Sequence, residues 1–255
     1  MKFKNVMIII AIVLVIALIG WLGFGYYQKV FVKTQNPIAT MEIDGYGTIK
    51  IELYPDMAPN TVANFISLAN RGFYNGLTFH RTIPGFMIQG GDKNGDGKGS
   101  PYYSDLKDDG EEKAYSINGE FVANGFKQNT LRHEEGVVSM ARGDYSNYGS
   151  PELAKEGYNS AGSQFFIMTS DNSSLNGLYS AFGKVIEGMD IVHQIENLEV
   201  VTRETNQEGT DKPVNPPVIK SLTVETYGVD YGMPETHDQF DIQSWFMNNL
   251  GTSLQ

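Results

Sequence analysis

The sequence predicts a mainly β domain, a closed antiparallel barrel capped by two α-helices, preceded by one N-terminal transmembrane helix. Three observations carry this: many short β-rich runs between residues 38 and 226, only two well-separated amphipathic helical patterns, and an uncharged apolar stretch at the N-terminus. The chain has 255 residues, 41% of them hydrophobic, with 14 Tyr and 14 Phe, enough apolar material for a sizeable core. Its formal charge of -11 argues against nucleic acid as a partner. Cysteine is absent, which excludes disulfides, thiolate metal sites, Cys nucleophiles and a lipidated Cys.

The first element is the membrane segment, residues 6–25. No charge occurs from Asn5 to Gln28, and every side chain from Val6 to Ile19 is apolar. Lys2 and Lys4 precede it, while Trp21, Tyr26 and Tyr27 follow. That asymmetry predicts a cytoplasmic N-terminus and an aromatic belt at the far interface, so the rest of the chain is extracytoplasmic. The alternative is a cleaved secretory signal ending near Gly23 and Gly25. Residues 1–28 are thus an anchor or signal, 29–37 a stalk, 38–228 the folded domain and 229–255 a tail.

Within the domain, Ile38–Ile43 and Thr48–Leu53 flank Asp44-Gly45-Tyr46-Gly47, which predicts a hairpin with Ile49, Ile51 and Leu53 on one face. Pro59 opens a helix whose apolar stripe is Val62, Phe65, Ile66 and Ala69, and Gly72 closes it. A second helix spans Met189 to about Asn197, with Ile191, Val192 and Ile195 on a stripe. The remaining strands are expected at Thr78–Thr82, Phe86–Gln89, Val137–Ala141, Gln164–Thr169, Ala181–Val185 and Val218–Thr226. Gly90–Asn129 and Asp144–Ser160 read as surface loops. The tail turns amphiphilic around Trp245, Phe246 and Leu250 and could form a short docking helix.

The most informative segment is Phe79-His80-Arg81-Thr82-Ile83-Pro84-Gly85-Phe86-Met87-Ile88-Gln89-Gly90-Gly91-Asp92. Simple alternation puts Phe86 and Ile88 on one side and Met87 and Gln89 on the other. The run resembles the signature of the cyclophilin-type peptidyl-prolyl cis-trans isomerases. Ala58–Phe65, Gly136–Ala141, Ser163–Ile167 and Phe182–Val185 match further family motifs in order, so the resemblance covers roughly residues 38–227. It implies an eight-stranded antiparallel barrel with two capping helices. By motif it makes Arg81 catalytic and places Phe86, Met87, Gln89, Ala141, Gln164, Phe166, Leu175 and Tyr179 in the substrate groove, with His80 at the rim. Tyr179 stands where many members have His, Arg142 where Asn is common, and Ser174 where some relatives carry a Trp that contacts the inhibitor cyclosporin.

These residue types suit the chemistry. Rotating a prolyl bond needs no nucleophile, cofactor or metal; it needs amide resonance weakened as the C–N bond twists, against a barrier of about 18–20 kcal/mol. A guanidinium can donate to the prolyl nitrogen, whose lone pair appears in the twisted state, and that differential contact lowers a barrier. The four histidines lack metal-ligand spacing, and Ser163 is not in a G-x-S-x-G elbow. Asp92–Gly97 matches half of a calcium loop, but Tyr103 replaces the twelfth-position Glu, so an ordinary turn is the expectation. The expected function is isomerisation of X-Pro bonds in exported polypeptides from a single-pass membrane anchor. The alternative is a non-catalytic, proline-binding chaperone or scaffold at the cell surface.

Overall fold

The computed structural model describes residues 7, 10, 12–21, 23, 35–201 and 211–250. The chain divides into two units, Met1–Gln35 and Asn36–Gln255. In the first, residues 12–21 are helical; residues 6, 8, 9, 11, 22, 24 and 25 of the predicted membrane segment and 29–34 of the predicted stalk lie outside the described residues. Among the described residues no helix is long and apolar enough to cross a membrane, so the transmembrane helix expected over 6–25 is not found.

The second unit is built on strands β1 (Ile38–Ile43), β2 (Gly47–Leu53), β3 (Arg81–Ile83), β4 (Met87–Gly90), β5 (Tyr115–Ser116), β6 (Val137–Met140), β7 (Phe165–Met168), β8 (Ala181–Glu187), β9 (Ile219–Glu225) and β10 (His237–Asp238). Helices α1 (Pro59–Asn70), α2 (Tyr103–Leu106), α3 (Pro151–Tyr158), α4 (Met189–Glu196) and α5 (Ile242–Leu250) accompany them. The β1–β2 hairpin forms where the Asp44–Gly47 turn predicts it, pairing Ile43 with Gly47 and Ile38 with Glu52. Ile49, Ile51 and Leu53 are fully buried on one face.

Eight strands form one antiparallel sheet in the order β3-β4-β7-β6-β8-β2-β1-β9. The sheet curls but does not close, which corrects the closed barrel expected from the sequence. The reason lies in the hydrogen bonding of β9. On the edge away from β1, its Leu222 N–H donates to the Asn75 side chain (3.0 Å) and its Val224 N–H to the Asn70 side chain (3.0 Å). Those donors are therefore unavailable to β3. Just before β9, Pro216 and Pro217 have no N–H to offer a ladder. Among the described residues the two edges meet over a short stretch before β3, where Thr78 bridges Val218, Phe79 N donates to Pro217 O (3.0 Å) and Ile219 N to Leu77 O (2.8 Å).

Helix α1 starts at Pro59 as predicted, but its N-cap Ala58 supplies no side-chain acceptor. The first-turn donors are satisfied from far along the chain by the buried Glu120. Its carboxylate accepts from Asn60 N (2.9 Å), Thr61 N (2.8 Å) and Thr61 Oγ1 (2.7 Å), placing negative charge at the positive end of the helix. Phe65 of α1 is the hub of the core, its ring 5.2 Å from Tyr74, 5.8 Å from Phe165 and 5.1 Å from Phe182.

Neither of the two stretches read as surface loops is one. Leu106, Tyr115, Ile117 and Phe121, all within residues 90–129, are buried. The other stretch contains α3, where Ser150 Oγ accepts from Leu153 N (3.3 Å) and Pro151 occupies the first turn. Ser-Pro at that position is a helix start, which outweighed the polar composition.

Candidate active site

The site grows from the register of four neighbouring strands. Arg81 of β3 pairs with Gln89 of β4, Gln89 with Phe166 of β7, and Phe166 with Ser139 of β6. Directly opposed residues in antiparallel strands share a face, so a single row carries a guanidinium, an amide, a phenyl ring and a hydroxyl. A parallel row runs from Ile83 through Met87 to Met168. The intervening residues Ile88, Ile167 and Val138 point the other way, into the main core. Both faces of this part of the sheet are thus buried, one by the core and one by the floor of a groove.

Phe86 does not follow the alternation that would set it with Ile88. It ends a turn in which its N–H donates to Ile83 O (3.0 Å) and Gly85 adopts φ of 70°, a conformation that glycine accepts readily. The turn rotates Phe86 into the cluster that holds Met87, Phe166, Leu175 and Tyr179. It is held there by Thr169 N donating to Phe86 O (3.0 Å) and Gly85 N donating to the Glu196 carboxylate (2.8 Å). Glu196 reaches the turn from α4, the helix predicted from Met189 onward.

A groove of about 550 Å³ results, and it brings together nine of the ten residues assigned by resemblance: His80, Arg81, Phe86, Met87, Gln89, Ala141, Phe166, Leu175 and Tyr179. Gln164 lines an adjoining cavity of about 230 Å³ and connects to the groove through a directed chain of amides. Its Nε2 donates to Gly99 O (3.0 Å) and Gly97 O (3.2 Å), so its Oε1 accepts from Gln89 Nε2 (2.9 Å). Gln89 is thereby oriented with its Oε1 toward the Arg81 guanidinium (3.5 Å).

Arg81 also faces Asp211, whose carboxylate lies 3.5 Å from its Nε and whose backbone oxygen accepts from Thr82 N (2.8 Å). Both contacts to the guanidinium are long, which leaves N–H donors available toward the groove. Sequence reasoning missed Asp211: nothing in its neighbourhood signals proximity to Arg81, more than a hundred positions earlier. Replacing Asp211 with Asn keeps the shape and removes the charge. Because a partly exposed pair is worth about 0.2–1 kcal/mol, kcat/KM is expected to fall by up to about fivefold in a prolyl-exchange assay, and an unchanged value would deny Asp211 a positioning role.

The resemblance put His80 at the rim, but the structure buries it, at 5% exposure, with neither ring nitrogen hydrogen-bonded to a side chain. Burial lowers its basicity, with Asp92 acting in the opposite direction. His133 is also buried. Its Nε2 lies 2.9 Å from Ser139 Oγ and its ring stacks 6.1 Å from Phe166, and burial again lowers its basicity. A base whose folded-state pKa is depressed stays neutral when folded while the unfolded chain takes up the proton. Both groups therefore favour the fold at neutral pH, and that contribution is lost as pH falls below the ordinary value of 6.5. His193 opposes them, because hydrogen bonds to Glu196 and Glu135 raise its pKa. In a His193→Gln background, thermal stability should decline steadily from pH 7 to about pH 5; a flat profile would contradict the burial of neutral imidazoles.

Arg142 both lines the groove and braces it. Its Nε donates to Leu178 O (3.0 Å), its Nη1 to Gly143 O (2.9 Å), and its guanidinium lies 4.6 Å from the Tyr179 ring. Asp92 of the half-calcium motif turns inward, accepting from Asn94 N (3.1 Å) and Asp96 N (2.7 Å). It organises the 92–97 loop as an Asx turn. Among the described residues no group of three or more His, Asp or Glu is arranged to hold a metal.

Comparison with known proteins agrees with this geometry. Residues 38–224 match the family model described as cyclophilin type peptidyl-prolyl cis-trans isomerase/CLD. Peptidyl-prolyl cis-trans isomerase B of Bacillus subtilis is 40% identical over 161 residues, covering 63% of this chain and 91% of that protein. Peptidyl-prolyl cis-trans isomerase-like 3 of Gallus gallus is 36% identical over 178 residues, covering 70% and 90%. Against peptidyl-prolyl cis-trans isomerase-like 2 of Rhizopus delemar the identity is 38%, but the chain spans only 27% of that protein. Among solved structures, a Cryptosporidium parvum cyclophilin type isomerase crystallised in the presence of the dipeptide Ala-Pro superimposes with a TM-score of 0.56 at 29% identity, covering 74% of this chain and 98% of that one. The register row Arg81–Gln89–Phe166, the family match and these relatives together establish that this chain belongs to the cyclophilin-type peptidyl-prolyl cis-trans isomerases.

Proposed function

We propose that Arg81 is the catalytic residue of this isomerase and that its clients are exported polypeptides, met at the outer face of a membrane to which residues 6–25 anchor the chain. The observation that carries the catalytic assignment is the placement of the Arg81 guanidinium in the same groove as the apolar slot of Phe86, Met87, Phe166 and Leu175. A pyrrolidine ring matches such a slot in size and polarity, and the Cryptosporidium parvum relative was crystallised in the presence of a proline dipeptide, Ala-Pro. With the ring held, the carbonyl on its N-terminal side rotates. As the bond twists, resonance is lost and the prolyl nitrogen becomes an acceptor for a guanidinium N–H. The planar amide offers no such acceptor, so the contact stabilises the twisted state selectively. Gln89, fixed by Gln164, holds the client backbone while rotation proceeds.

Cis-to-trans exchange of an X-Pro peptide, followed by NMR with wild-type and Arg81-substituted protein, tests the catalytic assignment. The export reading is supported by the uncharged stretch behind Lys2 and Lys4 and by the exposed apolar side chains of its helical residues, such as Leu14 (64%) and Trp21 (72%). Its test is extraction of membranes with alkaline carbonate together with protease access from the outer face. Release of intact protein by carbonate, or protection of the domain in intact cells, would overturn it.

A further inference from the structure

The tail after Gly228 lies outside the 38–224 family match, yet its described residues are tied to the body at several points between Glu235 and Phe246. Asn60 and Glu235 exchange two hydrogen bonds, Asn60 Nδ2 donating to Glu235 O (2.9 Å) and Glu235 N to Asn60 Oδ1 (2.7 Å). Strand β10 then pairs antiparallel with β5, His237 opposite Ser116 and Asp238 opposite Tyr115. The Asp238 carboxylate accepts from Lys113 Nζ (2.6 Å) and Tyr103 OH (3.2 Å), and Gln239 N donates to Ala114 O (3.1 Å). Beyond it, Phe240 lies 6.1 Å from the Tyr145 ring and Phe246 of α5 lies 5.0 Å from Tyr148.

These attachments bring Gln239 to the wall of the 230 Å³ cavity beyond Gln164, together with Tyr145. That cavity shares Gln89, Gly97, Lys98, Ala141 and Arg142 with the proline groove, so a client chain lying in the groove passes its mouth. On a protein of net charge -11, the cavity's lining contains two cations, Lys98 and Arg142, and no carboxylate. Arg142 is engaged by the carbonyls of Leu178 and Gly143, whereas the Lys98 ammonium is in none of the ion pairs among the described residues. Asp96, which accepts from the Lys98 backbone N–H, lines the main groove beside Lys98 but is not part of this cavity's wall.

We infer that the C-terminal tail is a specificity-determining part of the client-binding surface, with Gln239 closing a polar cavity in which Lys98 receives an acidic side chain of the client close to its proline. This rests on the reading of the groove as the proline site. The tail's backbone pairing with β5 holds Gln239 at a defined height, so the wall depends on a ladder and not on side-chain packing alone.

The test is kcat/KM, measured with the full chain, for peptides carrying Glu, Ala or Lys at each position within three residues of the proline. Wild type is expected to favour Glu over Lys at one such position. Lys98→Glu is expected to reverse that preference, Gln239→Trp to abolish it by filling the cavity, and Asp238→Ala to weaken it by releasing β10, a change at a residue outside the cavity. A partly exposed charge contact predicts a shift in the Glu/Lys ratio of up to about fivefold per variant. Thermal melts accompany each variant, and Lys98→Glu, at an exposed side chain, guards against misreading a folding defect. No Glu preference in the wild type, or a ratio unaltered by Lys98→Glu or by Gln239→Trp, overturns the inference. Arg81→Ala separates the two readings: if it leaves turnover intact, the groove assignment has failed; if it abolishes turnover while the ratios stay unmoved by the tail variants, only the tail's role has.

Discussion

Replacing Arg81 with alanine is expected to lower kcat/KM for an X-Pro peptide by about 10²–10³, the loss typical when one preorganised donor to a transition state is removed. Stability should hardly change, because the Arg81 side chain is 41% exposed and its partners, Gln89 and Asp211, both stand at 3.5 Å. Arg81→Lys should also be strongly impaired: an ammonium keeps the charge but not the planar fork that can reach the prolyl nitrogen and a neighbouring carbonyl together. Residual activity should survive in Arg81→Ala, since the slot of Phe86, Met87 and Phe166 still holds the ring. An alanine variant retaining more than half of wild-type kcat/KM would remove Arg81 from the mechanism.

The largest effect on stability is expected at Phe65. Its ring is fully buried and touches Tyr74, Phe165 and Phe182, so Phe65→Ala leaves a cavity where α1 meets the sheet. Such a change costs about 3–5 kcal/mol, readable as a lower denaturant midpoint with an unchanged slope. The variant should remain active below its unfolding transition, because Phe165 faces the core while its neighbour Phe166 faces the groove. A loss below about 1 kcal/mol would mean that the core repacks freely around the missing ring. Activity lost in the folded variant would mean that the two faces of β7 are coupled.

Much of this protein was legible before the structure, and for identifiable reasons. Turn chemistry and period-two alternation located the β1–β2 hairpin, and Pro59 and Gly72 bracketed α1, because these signals act within a few residues of one another. The Phe79–Asp92 run and its accompanying motifs indicated the family and nine residues that now share a groove. Where reading by period failed, a local device had overridden it. The Ile83–Phe86 turn moved Phe86 to the face of Met87, and Ser150-Pro151 started a helix in a polar stretch.

By itself, then, the sequence determined the chemistry on offer: a guanidinium, amides and soft apolar rings in strands, with no thiol and an acidic surface. Only the tertiary structure decided which distant groups meet. Glu120 caps α1, Asn70 and Asn75 occupy the donors of β9 and leave the sheet open, Asp211 faces Arg81, and Gln239 walls the second cavity. The entropic cost of closing a loop rises only with the logarithm of its length. A long-range partner therefore needs no special composition along the intervening chain, and leaves no pattern there to be read.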